Sequence, residues 1–282
     1  MDLLVTGATG RIGSRLVPRL QERGDAIRVL LRREEQADAF QERGVQVAIG
    51  DLRQADTLTQ AVSGVEAVIH LAAFFRGATP EEAHAINYAG TLALARAAQQ
   101  AGVSKFVYIS TNLVYGPGRG RPAREDDEPQ PAPDHFYPVS KLAAEQALAQ
   151  LYKGRQTELC ILRLAFVYGE GDPHFSEAVN FTRSWPAAKR LHLVHHADVD
   201  QGIMLSLDKP AAGGQIYNVA DDTPITIAEI RRLNGLPVPE NAMDNQVDDP
   251  WEGIVDTTKI KTELGFRPRY PSVYSAIKTT VA

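Results

Sequence analysis

Tyr137 and Lys141 lie four residues apart at the start of a predicted helix over Val139–Tyr152. This spacing places both side chains on one face of a helix. A phenol has an ordinary pKa of about 10, so a tyrosine that exchanges protons near neutrality needs its anion stabilised, and an ammonium one turn away supplies that charge. The pair predicts an acid/base tyrosine tuned by a lysine. Because this spacing also arises by chance, its weight depends on the rest of the chain.

A glycine-rich turn follows the first predicted strand, Leu3–Thr6, and opens a predicted helix over Arg11–Arg23. Glycine permits a tight turn and a close backbone approach, and a helix N-terminus presents N–H groups to a pyrophosphate. The turn predicts dinucleotide binding, the alternative being a purely structural glycine turn. The expected cofactor-binding residues here are Gly7, Thr9, Gly10, Arg11, Ile12 and Gly13.

The second predicted strand, Ile27–Leu31, ends in Arg32 and Arg33. In dinucleotide-binding folds a carboxylate at this place holds the ribose hydroxyls, whereas a guanidinium grips a 2′-phosphate. The arginines therefore favour NADP, with NAD also possible. The alternative is that they are two solvated arginines ahead of a helix.

The elements that must position these residues alternate between short apolar runs and helical patterns, which predicts an α/β protein with a Rossmann-type, doubly wound parallel sheet. Further strands are predicted at Val45–Ile49, Ala67–Leu71, Phe106–Ser110, Glu158–Phe166 and Gln215–Val219. Further helices are predicted at Glu34–Arg43, Ala55–Val62, Glu81–Ala101, Phe175–Ser184, from Asp198, and at Ile227–Leu233, Lys259–Leu264 and Ser272–Thr279. The proline-rich segment Gly116–Pro138 is predicted to be a long loop. Residues 1–168, with 191–219 returning to them, are expected to form the dinucleotide-binding domain, and residues 169–190 and 220–282 a small substrate lobe.

Composition narrows the class of partner. The 282 residues carry a net charge of −5, which argues against nucleic acid as a partner because such binding needs clustered cations. No apolar stretch is long enough to span a bilayer, and the single cysteine, Cys160, lies in an apolar run, so no membrane and a cytoplasmic location are expected. His195, His196 and Asp198 lie close together, but Asp198 as the N-cap of a helix explains them, so no metal is expected.

Three features together resemble the extended short-chain dehydrogenase/reductase family, also described as NAD-dependent epimerases/dehydratases. They are the Gly-x-x-Gly-x-x-Gly spacing of TGATGRIG, the strand-end segment Tyr108–Gly116, and the Tyr137-x-x-x-Lys141 pair. The resemblance extends over essentially the whole chain.

The resemblance implies roles for further residues. Thr111 occupies the place of the catalytic hydroxyl, and Asp51, followed by Leu52, that of a carboxylate that contacts adenine; Asp51 could also cap a helix. The run Leu71-Ala72-Ala73 would lie beside the cofactor, and Asn87 would shape the site from behind. The expected substrate-binding residues are Ser110, Asn112, Phe74 and Tyr168.

Departures from the family pattern refine the expected activity. Asn112 and Leu113 stand where sugar-nucleotide dehydratases have an Asp-Glu pair, and the segment after Gly169 is short for a bulky nucleotide-sugar. We therefore expect an NAD(P)-dependent oxidoreductase that moves hydride to or from a carbonyl or secondary alcohol of a small polar substrate. The alternatives are a sugar or nucleotide-sugar epimerase with retained NAD, and a non-catalytic NADP-binding sensor or scaffold. A homodimer through the two long helices is also expected, with Ala93, Ala97, Ala143 and Ala144 allowing close approach.

Overall fold

A computed structural model describes residues 1–75, 77 and 79–280 of the chain. Two compact units are present. The first contains Met1–Thr111, Ala132–Leu162 and Ile203–Ile216, and the second contains Asn112–Pro131, Arg163–Gly202 and Tyr217–Ala282. This division differs from the expected one, because Asn112–Pro131 and residues 163–168, 191–202 and 217–219 belong to the second unit.

A seven-stranded parallel sheet forms the centre of the fold, in the order β10-β6-β5-β4-β1-β2-β3. Its strands are β1 (Asp2–Thr6), β2 (Ala26–Leu31), β3 (Gln46–Ile49), β4 (Ala67–His70), β5 (Lys105–Thr111), β6 (Glu158–Leu164) and β10 (Gln215–Val219). The prediction of a Rossmann-type doubly wound sheet is confirmed. The strand order reverses between β1 and β4, which pair in parallel from Leu3 with Ala67 to Thr6 with His70. Ligands of such sheets bind at the carboxyl ends of the strands beside this reversal.

Helices cover the sheet within the first unit, so strand β4 is buried along its whole length. These helices are α1 (Gly13–Glu22), α2 (Asp38–Gln41), α3 (Ala55–Val62), α4 (Pro80–Ala83), α5 (Thr91–Gln100) and α6 (Phe136–Tyr152). A π-helical segment, His84–Gly90, joins α4 to α5. Aliphatic and aromatic side chains of α3, α5 and α6 pack with those of β4, β5 and β6 in one apolar cluster.

Several predicted boundaries are wrong for identifiable reasons. The expected helix Glu34–Arg43 is a 3₁₀ turn, Glu34–Gln36, followed by the short α2, because polar residues leave it little apolar surface to bury. Helix α6 begins at Phe136, three residues before the predicted start, so Tyr137 lies inside its first turn.

The four alanines expected at a dimer face differ in burial. Ala97 and Ala144 lie in the core, whereas Ala93 and Ala143 are half-buried.

The second unit has its own small core, which includes Tyr168, Leu193, Ile225 and Ile230. Its strands are β7 (Phe166–Tyr168), β8 (Arg190–Leu191), β9 (Leu193–His195) and β11 (Ile225–Thr226). Its helices are α7 (His174–Phe181), the first half of α8 (His196–Asp208), α9 (Ile227–Leu233), α10 (Glu240–Asp244), α11 (Thr258–Glu263) and α12 (Val273–Thr280); the residues of α8 from Ile203 on belong to the first unit. The predicted strand Glu158–Phe166 is therefore two strands, and β7 pairs with β9 rather than with the central sheet.

The prediction that Asp198 caps α8 is wrong, because this helix begins at His196. The Asp198 carboxylate instead accepts backbone hydrogen bonds from Arg269 (2.5 Å) and Tyr270 (3.1 Å). Within residues 1–75, 77 and 79–280, no helix combines the length and the apolar character needed to cross a membrane.

Candidate active site

The glycine turn after β1 has the geometry that close approach of a ligand requires. Gly7 has a positive φ of 72°, and a Cβ there would lie 2.7 Å from the backbone nitrogen of Ala72. A Cβ at Gly13 would collide with the Gly7 carbonyl oxygen and lie 2.6 Å from the Cα of Ala8. Both positions therefore require glycine. Helix α1 starts at Gly13 with no side-chain cap and no acidic residue in its first turn, so its positive end is available to an anion.

An open cleft of about 360 Å³ extends along the carboxyl edge of the sheet from this turn. Most of the residues that the sequence assigned to the cofactor line it, namely Gly7, Thr9, Gly10, Arg32, Arg33, Asp51, Leu52, Leu71, Ala72 and Ala73. Arg11, Ile12 and Gly13 are not part of the lining, and neither are Tyr137 and Lys141, which were also expected to contact the cofactor. The cleft thus joins the glycine turn to the arginine pair that follows β2.

The basic end of the cleft contains one carboxylate, Asp51, which Arg53 already engages. The Arg53 guanidinium donates to both carboxylate oxygens, at 3.0 and 2.6 Å, and its backbone N–H donates to Oδ1 at 2.9 Å. These bonds, with a smaller contribution from the charge of Arg32, lower the pKa of Asp51. The N-cap alternative is wrong, because α3 is preceded by Gln54 and lacks a side-chain cap.

Tyr137 and Lys141 lie on α6, with Tyr137 half-buried and Lys141 almost fully buried. The Lys141 Nζ lies 4.0 Å from the ring centroid of Tyr108. Burial lowers the pKa of Lys141 to about 7, against a smaller opposing effect of the Glu145 carboxylate. Burial also raises the pKa of Tyr137 above its ordinary value. Burial therefore opposes the acidification of the phenol that the sequence predicts.

Two hydroxyls close β5. Thr111 is its last residue and is buried, and Ser110 beside it is buried as well. The Ser110 Oγ has no hydrogen-bond partner among the described residues. A buried hydroxyl without a partner is costly, so this oxygen is a candidate contact for a ligand.

Asn87 connects the cleft to helix α6. Its side-chain amide accepts from the Phe74 N–H at 2.7 Å, donates to the Phe74 carbonyl at 2.9 Å, and donates to the Ser140 Oγ at 3.0 Å. Phe74, expected in the substrate site, lines the cleft instead, and the next residue, Phe75, packs edge-on against the Tyr137 ring at 4.7 Å. The residue that contacts Tyr137 thus follows a residue of the cleft lining directly in the sequence.

The remaining predicted substrate residues belong to the second unit. There the Asn112 amide donates to the Gly253 carbonyl at 2.7 Å. Tyr168 is 3% exposed, and its hydroxyl has no hydrogen-bond partner in the described part of the chain. Among the described residues, no group of three or more histidine, cysteine or acidic side chains could hold a metal ion.

Sequence reasoning missed several residues of the site. Thr6, Leu30, Leu31, Gln36, Gly50 and Ile86 also line the cleft. His70 ends β4 and Phe75 contacts Tyr137, although neither was selected. The signal that could have found His70 was a histidine at the end of an otherwise apolar strand next to the glycine turn.

A family model described as the NAD dependent epimerase/dehydratase family matches residues 3–220, which include every residue that lines the cleft. The chain belongs to this family. One relative of this family member is the 4-hydroxy-2-methyl-3-oxo-4-farnesyl-3,4-dihydroquinoline-1-oxide ketoreductase of Stigmatella aurantiaca, 32% identical over 244 residues, or 83% of this chain and 72% of that protein. The UDP-glucose 4-epimerase of Vibrio cholerae is 28% identical over 82% of this chain and 74% of its own length.

A solved structure of similar fold is a short-chain dehydrogenase/reductase superfamily protein from Agrobacterium tumefaciens with bound NAD. It is 26% identical, with a TM-score of 0.80 over 99% of this chain and 95% of that one. The family and these relatives indicate an enzyme of the short-chain dehydrogenase/reductase class. They include both oxidoreductases and an epimerase.

Proposed function

We propose that this NAD-dependent epimerase/dehydratase family member is an NADP-preferring oxidoreductase, which transfers hydride to or from a carbonyl or secondary alcohol of a small polar molecule. The observation that carries the proposal is the cleft itself. It starts at the glycine turn, ends at Arg32 and Arg33, and its lining residue Phe74 is followed by the residue that contacts Tyr137.

The residues of the cleft fit a dinucleotide. The pyrophosphate would lie against Gly7 and Gly10 at the start of α1, and the small side chains of Ala72 and Ala73 leave room for the ribose. Arg32 and Arg33 would hold a 2′-phosphate, and the carboxylate in the cleft lining, Asp51, is already paired with Arg53. When bound, the nicotinamide would supply the hydride or accept it.

Three groups of the chain would act on the substrate. The Thr111 hydroxyl would donate a hydrogen bond to the substrate oxygen, and Tyr137 would give that oxygen its proton during reduction or remove it during oxidation. Lys141 would hold the nicotinamide ribose and stabilise the phenolate when charged. Because burial raises the pKa of Tyr137, its phenol keeps its proton near neutral pH and is suited to act first as an acid.

Calorimetric titration with NADP and with NAD, repeated with Arg32→Asp, tests the cofactor. We expect the parent to bind NADP more tightly and the variant to reverse this order. An unchanged preference in Arg32→Asp would refute the role of Arg32. Tightly retained NAD that does not exchange would favour the epimerase.

Turnover tests the chemistry. We expect the parent to reduce members of a panel of small ketones and β-keto esters with NADPH, and Tyr137→Phe to lose activity by at least about a hundredfold. Near-normal turnover in Tyr137→Phe would exclude the proposed role. A parent that binds NADP but transfers hydride to no carbonyl would favour the sensor. We also propose a reducing, cytoplasmic setting, since Cys160 is buried and, as the single cysteine of the sequence, cannot form a disulfide within the chain.

A further inference from the structure

His70, the last residue of β4, is fully buried and has a hydroxyl partner on each ring nitrogen. Its Nδ1 lies 2.6 Å from the Thr6 Oγ1, and its Nε2 lies 2.8 Å from the Thr91 Oγ1. A buried imidazole with both nitrogens satisfied by uncharged groups has one hydrogen to place, so its partners decide the tautomer.

The other hydrogen bonds of Thr91 and Thr6 decide which group donates and which accepts in the two hydrogen bonds of His70. The Thr91 hydroxyl donates to the Asn87 carbonyl at 2.8 Å, which uses its single hydrogen. Its oxygen must therefore accept from His70, which places the imidazole proton on Nε2. Nδ1 then accepts from the Thr6 hydroxyl, whose oxygen accepts the Ala72 N–H at 3.3 Å. A continuous series of hydrogen bonds, called the relay below, therefore runs from the Ala72 N–H through Thr6, His70 and Thr91 to the Asn87 carbonyl.

The imidazole is also held neutral. Burial, and to a smaller extent the charge of Lys141, lower the pKa of His70 to about 3. The Tyr108 ring stacks on the imidazole at 5.7 Å and carries the Lys141 Nζ at 4.0 Å from its centroid. A protonated imidazole would add a second positive charge near the Lys141 ammonium, since both groups contact the Tyr108 ring.

The two ends of the relay lie in the two halves of the site. At one end, Thr6 precedes Gly7, and Ala72 is the residue against which the Gly7 backbone packs. At the other end, the Asn87 side chain bonds Phe74 and Ser140, the residue before Lys141. The relay therefore connects the dinucleotide turn to the helix that carries the tyrosine and the lysine.

We infer that His70 is a positioning residue for the reaction, which as its neutral Nε2–H tautomer keeps the glycine turn and helix α6 in one register. This role rests on the proposed function, in which a cofactor on the turn must meet groups on the helix. A misplacement of about 1 Å between such groups can cost about a hundredfold in rate.

The first test needs no turnover. Thr91→Val removes the acceptor of the imidazole proton with little change in shape, and Thr91 does not line the cleft. We expect this variant to bind NADP about tenfold more weakly in calorimetry, and ¹⁵N NMR of the parent imidazole to show the neutral Nε2–H tautomer near neutral pH. An Nδ1–H tautomer, an imidazolium, or an NADP affinity within about twofold of the parent would overturn the inference.

Thr157→Val is the matched control. Thr157 is another buried threonine of the first unit, whose hydroxyl donates to the Val103 carbonyl at 2.8 Å outside the relay. We expect it to lose stability like Thr91→Val while its NADP affinity and kcat stay within about twofold of the parent. Equal losses of affinity in both variants would reduce His70 to a merely structural residue.

A double-variant cycle tests the relay as a unit. Thr6→Val and Thr91→Val each break it, so the double variant should lose no more NADP affinity than the weaker-binding single variant. Losses that multiply would overturn a relay through His70. If the parent binds NADP but reduces no carbonyl, the proposed reaction fails, while the tautomer and the affinity cycle still decide the positioning role.

Discussion

Replacing Lys141 by methionine should abolish hydride transfer and remove a cost to folding. Lys141 is 1% exposed, and its pKa is lowered from 10.5 to about 7 by burial. At about 1.4 kcal/mol per pH unit, this difference corresponds to about 5 kcal/mol of free energy of unfolding that the charged lysine costs at low pH. Between the two pKa values the unfolded chain binds the extra proton, so stability rises with pH across this window.

The pH dependence of the difference between parent and variant isolates this effect. We expect the advantage of Lys141→Met in urea unfolding of the cofactor-free protein to shrink by about 3 kcal/mol from about pH 6 to about pH 9. The variant also loses a positive charge near Glu145, which adds a further amount to the difference in free energy of unfolding between variant and parent. The change of this difference with pH, rather than its size at one pH, is therefore diagnostic.

The control is Lys153→Met, at an exposed lysine that follows the last turn of the same helix. Its stability relative to the parent should not change with pH in this window. A Lys141→Met advantage that is equal at every pH would refute the reasoning, since the buried lysine would then keep its ordinary proton affinity.

Three further predictions concern the turn, the substrate and the assembly. Gly13→Ala should lower the free energy of unfolding by about 1–3 kcal/mol and weaken NADP binding, because a Cβ at this position has no space. Gly10→Ala should cost less, because its Cβ would lie 3.1 Å from the nearest atom. Equal denaturant midpoints of the two variants would contradict this. Phe75 lies beside Tyr137 and is 44% exposed. Phe75→Ala should therefore raise KM for ketones with an aryl or long alkyl group about tenfold and leave kcat within about threefold of the parent. An unchanged KM would exclude contact between Phe75 and the substrate. The exposed Val139 on α6 is expected to lie in a homodimer interface, so light scattering should give twice 30.8 kDa for the parent and a single chain for Val139→Arg; a monomeric parent would end the dimer proposal.

The elements that bury a continuous apolar stripe could be predicted from the sequence. Strands β1 and β4 are short apolar runs next to glycine or polar residues, and the helical period of α3 matches its buried face. The boundary errors fell where local pattern is weak. A single residue, Ala165, separates β6 from β7, and no periodicity shows that the chain leaves the central sheet there.

Most residues that line the cleft could be predicted to lie together, because they follow strand ends in the sequence, and parallel strands bring those ends to one edge. The surroundings of Tyr137 and Lys141 depend on contacts that sequence spacing does not encode. Neither the bond between Asn87 and Ser140 nor the partners of His70 could be inferred, because each joins residues more than 20 positions apart. The pKa of Lys141 likewise follows from burial, which its position on α6 alone did not reveal.

The discontinuous first unit has a consequence for synthesis of the chain. The segment Ile203–Ile216, which contributes to the unit and contains the start of edge strand β10, leaves the ribosome after Arg163–Gly202 of the second unit has been made. A nascent chain that already contains the glycine turn, Tyr137 and Lys141 therefore still lacks part of its sheet. Parallel sheets with such distant pairings fold slowly and expose unpaired edges meanwhile. Truncated or stalled chains of this protein would be natural clients of chaperones that shield strand edges.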